Sequence, residues 1–538
     1  MRRILAGLLT PFVWLALGLS AQAATYYVDV RAGDDANDGS SRERPVKTLA
    51  KASLIPLQPG DELRLAAGSV WREGLVISRS GTSSALITVG SYGDGPHPRI
   101  DAGGIAENAV EMRNVEYVAL SGLELTNKAD GTAIRRGVLV SAQDMGVANA
   151  ISVTDLYIHD VTGTDERKDN GGIVFQALGP NKPTRFEGIT VARNIIWKVD
   201  RSGIAGISDQ ISRARWFPSR FVVVRDNYVE DVGGDGIVVR GSDGALIEHN
   251  IVYHAARRAP GYNAGIWQWS TDNSLIQLNE AAFTHGVLDG QGFDSDYNSR
   301  WTTLLYNYSH DNEGGFLLIC TPVKRDDQTN LGNVGTQARF NVSHDDRTRI
   351  FQLAGASDAL IEGNVIHAGK GSDVQMVVAT QWDGWSKNIA FRGNFLGAQG
   401  IARYGHERGR RGGLYLIDSG FAPAEGISFD GNIYAGNHAD PPDDRNARFD
   451  INYADRASWD VPRFDPAKPD GFDAYLKRHR HWMLAMLRRE LRQRPTLLTP
   501  SPTLPDQARQ QVGRAAVGHQ ADAAERSEEH TSELQSPM

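Results

Sequence analysis

The sequence predicts an all-β fold: a single-stranded right-handed parallel β-helix (solenoid) with an N-terminal cap and a C-terminal helical extension. Two observations carry this expectation. A short unit of apolar alternation, an Asn and further apolar alternation recurs along the middle of the chain, and the segment ahead of it has a different composition, suited to covering the open end of a stack. A third, 57 glycines among 538 residues, fits a chain with many turns.

In chain order, Arg2 and Arg3 precede the apolar run Ile4 to Leu19 and the small-residue stretch Ala21-Gln22-Ala23. This is the order of a secretory signal, so residues 1–23 are expected to direct secretion and to be cleaved after Ala23. Pro11 breaks the run, which is also shorter than the ~20 residues of a spanning helix, and nothing later is apolar enough to span a membrane.

Residues 24–104 form the expected cap and first coils. TYYVDV leads into a Gly/Asn/Asp-rich loop, RPVKT reads as a turn opening a short helix around Lys47 to Ser53, and PGDELRLAAG returns to a strand. This segment resembles the opening of extracellular pectate-lyase-like β-helix enzymes, including family 9 pectate lyases and family 6 alginate and chondroitin lyases. The resemblance implies a carbohydrate-active β-helix whose short helix closes the N-terminal end of the core.

Residues 105–437 form the expected β-helix. Units such as VARNIIW, VRDNYVE and IEHNIVY place Asn194, Asn227, Asn250, Asn279, Asn307, Asn341, Asn364, Asn394 and Asn432 in equivalent positions. Their gaps of 33, 23, 29, 28, 34, 23, 30 and 38 residues suit coils that keep their strands and vary their loops. Each Asn is expected at a turn, in left-handed geometry and bonded from coil to coil, with no catalytic role.

Residues 438–494 read as a Pro- and Asp-rich strap followed by an amphipathic helix over 472–494, with seven basic and two acidic side chains and a preferred role as a C-terminal cap. Residues 495–538 have the composition of a disordered tail, whose final SEEHTSELQSP resembles a translated sequencing adapter.

Cys320 is the only cysteine, so no intramolecular disulfide can form. Residues 24–465 carry 44 basic and 56 acidic side chains, a net of −12, which argues against a nucleic-acid partner. A monomer acting on a polysaccharide or oligosaccharide is expected.

Candidate chemistry lies where four coils align on Gly236-Ile237, Gly265-Ile266, Gly292-Phe293 and Gly315-Phe316. Strand alternation then turns Ile237, Val239, Ile266, Gln268, Phe293, Ser295, Phe316 and Leu318 inward. The outward columns read Val238 and Arg240, Trp267 and Trp269, Asp294 and Asp296, Leu317 and Ile319. Two indoles offer stacking platforms beside two carboxylates, and two Asp on one strand face repel each other unless a proton, cation or substrate compensates.

These residues fit three activities. In a glycoside hydrolase, Asp294 and Asp296 form the acid/base pair, with Asp235 or Glu313 in reserve and Trp267, Trp269, Arg240, Arg300 and Lys324 binding substrate. In a polysaccharide lyase or epimerase, Asp289, Asp294, Asp296 and Asp311 hold Ca²⁺ against a uronate, and Lys324, Arg240 or Arg300 removes the proton. In a noncatalytic binding protein, the same wall only holds carbohydrate. No cofactor other than this possible calcium is expected.

Overall fold

The computed structural model describes residues 23–492, apart from 287, 321–331, 369–370, 383, 412–413, 422–425 and 454–458. Residues 1–22 of the expected signal, the tail from 495, and Lys324 therefore lie outside the described residues.

Each coil contributes three short strands, and each strand pairs in parallel with its counterpart one coil later, so three parallel sheets run the length of the solenoid. In the first sheet, Ile237–Asp243 pairs with Ile266–Asp272, then with Gln291–Ser295, Gly315–Cys320, Arg349–Ala354 and Val374–Ala379. The exception is a hairpin in which the end of Phe395–Arg411 pairs antiparallel with Leu414–Ser419.

Alternation in the strands builds the core. Ile204, Ile237, Ile266, Phe293, Leu317, Phe351 and Val377 register one above another and are fully buried. Each such side chain contributes roughly 1.5–3 kcal/mol of burial free energy, which supplies stability without a disulfide.

At the N-terminal end, helix α1 (Leu49–Ala52) sends Leu49 and Ala52 into this core. Thr48 caps it by accepting from the Lys51 N–H, while Asp35 accepts from the Thr48 amide and hydroxyl. The short helix expected from the RPVKT turn is present, trimmed at both ends.

The nine asparagines form one continuous ladder. From Asn194 to Asn432 all are fully buried, and each Nδ2–H donates to the Oδ1 of the next at 2.9–3.1 Å. The second amide hydrogen goes to a backbone carbonyl, as from Asn307 to Ile276, and the same Oδ1 also accepts the backbone N–H of the preceding Asn. A buried primary amide is thus satisfied on every side, which removes the cost of burying it. The left-handed geometry belongs to the residue before each Asn: Arg193, Asp226, His249, Leu278, Tyr306 and Phe340 have φ of 52–57°. The Asn supplies the amide, and its neighbour makes the bend.

Helix α2 (Phe472–Leu491) does not close the end of the solenoid. It lies along the third sheet, with Tyr475 against Tyr228, Trp482 against Tyr308, and Met483, Met486 and Leu487 in one cluster with Val342 and Val365. Outward positions of that sheet carry this aromatic and aliphatic stripe over successive rungs, and the helix's apolar face covers it. His479 and Arg480 fix it further by pairing with buried Glu280 and with Asp226. No described helix is long and apolar enough to cross a membrane.

Candidate active site

The outward face of the first sheet brings the expected indoles and carboxylates together. Trp267 registers between Val238 and Asp294, and Gln268 beside Ser295, so Trp267, Trp269, Asp294 and Asp296 share one wall. The fourth coil is shifted by one residue from the expected alignment. Phe293 pairs with Leu317, which turns Leu317 and Ile319 into the core and Leu318 and Cys320 outward. Gly315 makes the shift: it pairs with Gln291 at φ 127°, and a Cβ there would meet the Arg349 carbonyl oxygen at 1.7 Å. Phe316 then fills a core position against Phe293.

Asp235, expected as a reserve catalytic acid, is fully buried and held in a fixed network. It accepts from Lys168 Nζ at 2.7 Å and from Trp267 Nε1 at 3.0 Å, and Arg201 lies 3.6 Å away. Burial alone would raise its pKa, but Lys168 and Arg201 overcome this and hold it below the usual carboxylate value. It is a structural anion. Trp267 is correspondingly no open platform. Only 5% exposed, it has its indole N–H committed to Asp235 and the Lys168 ammonium 4.6 Å from a ring centroid.

Trp269 is half-buried, with Arg240 over one face at 5.2 Å and Tyr297 edge-on at 5.4 Å. Its Nε1 and the Arg240 Nε are buried without a protein partner among the described residues.

Three aspartates converge at the base of this wall. Burial is the first cause of a raised pKa in each. The charge of Asp296 also raises Asp289, to about 7, and raises Asp294 well above the usual range. Asp296 is raised less, to about 6, because the Tyr297 amide and the Cys320 thiol donate to it and Lys168 attracts its charge. Asp294 is only 2% exposed, and its Oδ1 has no protein partner among the described residues. Burial and mutual repulsion thus hold all three above the ordinary carboxylate range, with Asp296 eased by its donors.

The remaining expected residues fall elsewhere. Glu313 stands half-exposed at a turn, accepting from the Gly286 N–H and facing His285 at 3.4 Å. Asp311 occupies a left-handed turn after the third sheet and bonds His310. The four-aspartate calcium set is therefore not assembled, because Asp311 leaves it. Arg300 bridges to Asp272 and Val334 at the corner beyond the first sheet, with its guanidinium over Trp301.

Several site residues were not on the expected set because they arrive on loops. Lys168 comes from the loop before Gly171–Leu178 and reaches Asp235, which precedes the strand two further along the first sheet. Trp382 packs on Leu318, Cys320 and Ala354. The hairpin lays Tyr415 against Arg349 at 5.2 Å and Arg410 at 4.6 Å, and Arg349 donates to the Asp289 carbonyl. The run TQWDGWS marks an aromatic loop in the sequence, but nothing local says where it lands.

The fold is that of a right-handed parallel β-helix, and the outer face of its first sheet carries a cluster of aspartates beside aromatic side chains. Residues 103–281 match the family described as Right handed beta helix region. The chain is 29% identical to a lacto-N-biosidase of Bifidobacterium longum subsp. longum, over 62% of this chain and 26% of that protein, so it spans about a quarter of that relative's length. It is also similar to the native crystal structure of a GH136 lacto-N-biosidase from Eubacterium ramulus, at 30% identity and a TM-score of 0.57 over 64% of each chain. The selenomethionine derivative of that protein gives a TM-score of 0.58.

Proposed function

We propose that this chain is a glycoside hydrolase acting on an oligosaccharide, with Asp289 as general acid and Asp296 as the carboxylate that acts as base or nucleophile. What supports this reading is that three buried carboxyls, Asp289, Asp294 and Asp296, lie close enough to repel one another while only Asp296 has the Tyr297 amide and the Cys320 thiol as donors. One group near neutrality can give a proton to the leaving glycosidic oxygen while a neighbour stays ionised, which is the division of labour that glycosidic cleavage requires. Asp294 keeps its proton beside them, so Asp296 ionises without a second negative charge at the base. This moves the acid role from the Asp294 and Asp296 pair, where it was expected, to Asp289.

The likeness to lacto-N-biosidases supports hydrolysis and suggests a lacto-N-bioside as substrate. Export directed by residues 1–23 fits a glycan substrate outside the cell. The test is product analysis with aryl lacto-N-bioside and a panel of neutral and acidic glycans. A hydrolase releases reducing ends without ultraviolet absorbance. Unsaturated products whose formation fails with a chelator would establish the calcium-assisted lyase instead, and retention without product would establish a noncatalytic binding protein.

A further inference from the structure

The outer face of the first sheet carries a contact that strand stacking does not require. Tyr262 lies in the loop before Ile266–Asp272, and Trp382 lies in the loop after Val374–Ala379, four rungs further along the first sheet. At the spacing of paired strands those rungs are roughly 19 Å apart. The two rings nevertheless meet edge to face with centroids 5.4 Å apart. The strands between them are those bearing Asp294, Leu318 and Gln352, so the contact crosses above the acids.

Both halves of this contact are pinned. The Tyr262 carbonyl accepts from Lys168 Nζ at 3.0 Å, and the same ammonium bonds buried Asp235. On the other side the Gln381 N–H donates to Glu407 at 2.8 Å, Arg410 donates to the Gln381 carbonyl at 2.8 Å, and the Arg410 guanidinium lies 5.6 Å from the Trp382 ring centroid. Trp382 itself rests on Leu318, Cys320 and Ala354. Tyr262 is 45% exposed, which places it on the outer side of the contact.

We propose that Tyr262 and Trp382 form a clasp that roofs the acid-bearing strands and determines specificity: it closes the groove into a pocket that takes the end of a glycan chain and excludes an internal segment. Lys168 positions one side of the clasp and the hairpin residues Glu407 and Arg410 position the other. This assignment of chain-end specificity rests on the hydrolase reading; the roof itself does not.

Cys320 gives a test of the roof that needs no substrate. It is the chain's only cysteine, it is 3% exposed, and it lies beneath Trp382 beside Asp296. With 5,5′-dithiobis(2-nitrobenzoate), the thiolate attacks the reagent disulfide, a protein mixed disulfide forms, and one thionitrobenzoate leaves. The folded wild type should react at least a hundredfold more slowly than the urea-unfolded chain. Trp382→Ala and Tyr262→Ala should each raise the folded rate at least tenfold with the melting temperature within a few degrees of wild type. Fast labelling of the folded wild type, or an unchanged rate in both variants, would overturn the roof. Trp382→Phe, which keeps a ring in place, should restore slow labelling and separates loss of cover from misfolding.

Specificity is read with aryl lacto-N-bioside and the same glycoside extended by one sugar at its non-reducing end. Wild type should prefer the first at least tenfold in kcat/KM, and Tyr262→Ala should narrow that ratio below threefold. An equal ratio in wild type and variant would overturn the specificity role. No turnover of either glycoside by wild type would count against the hydrolase reading and the specificity role that rests on it, while the labelling result would still decide the roof.

Discussion

The indole N–H of Trp267 donates to Asp235 at 3.0 Å, so the first tryptophan of the cleft wall is held from behind by a buried anion. That anion also receives Lys168 and sits near Arg201, which makes it the point where four successive coils are tied together.

Asp235→Asn should therefore act on stability before activity. Removing the charge leaves Lys168 and Arg201 close together with their counterion gone, a change that costs roughly 3–5 kcal/mol when a buried pair is broken. Chemical denaturation should show a lower midpoint, and Lys168→Met combined with Asp235→Asn should recover part of it. A midpoint within error of wild type for Asp235→Asn would contradict the network.

Activity should follow a bell-shaped pH profile. Asp296 must lose its proton, so the acid limb rises through about 6. Asp289 must keep its proton, so the alkaline limb falls through about 7. Asp289→Asn and Asp296→Asn should each lower kcat by about 10²–10⁴, and Asp289→Asn should flatten the alkaline limb. Asp294→Asn should lose less, because a neutral amide resembles the protonated acid it replaces.

The ladder sets a third expectation. Asn307→Ala removes two donated and two accepted hydrogen bonds inside the core, leaving the Asn279 amide, the Asn279 backbone N–H, the Ile276 carbonyl and Asn341 Oδ1 each short of a partner. At about 1–3 kcal/mol for each buried group left unsatisfied, the loss should be several kcal/mol. Thermal melting should show it, whereas substitution of exposed Ile105 should leave the midpoint near wild type.

Docking of α2 should respond to pH through Glu280 and His310. Burial opposes the Glu280 charge, but His479 and His310 overcome it and lower its pKa to about 2. Burial likewise opposes the His310 charge, and Asp311 with Glu280 raises it to about 9. Glu280's contribution is present above its ordinary 4.5 and lost as pH falls through 2. That of His310 is present below 6.5 and lost as pH rises through 9. Glu280→Gln should thus destabilise the protein most between about 4.5 and 6.5, and its difference from wild type should shrink above 9, as read by melting and by limited proteolysis within 472–491.

The coil architecture was legible because it repeats. A single Asn position sampled nine times, with alternation on either side, overrides the ambiguity of any one short strand. The shared wall of Trp267, Trp269, Asp294 and Asp296 followed from the same alternation. What alternation could not show is depth: Trp267 and Asp235 were read as cleft groups, although the loop carrying Lys168 buries both. The slip at Gly315 was hidden for a related reason. Gly292 and Gly315 look equivalent in sequence, and only the backbone geometry that Gly315 adopts puts Leu317 rather than Phe316 opposite Phe293 and turns Leu318 outward. Trp382, Tyr262 and Tyr415 escaped because loops of unequal length carry no register.

The amide column also has a direction and an end. At Asn432 the next partner is the carboxylate of Asp444, which accepts the Asn432 side-chain amide, the Gly431 N–H and the Tyr434 hydroxyl. A carboxylate offers no hydrogen to a further rung, so another chain approaching edge-on finds negative charge where the pattern would need a donor. The terminal acid thereby acts as a stop signal against end-to-end polymerisation.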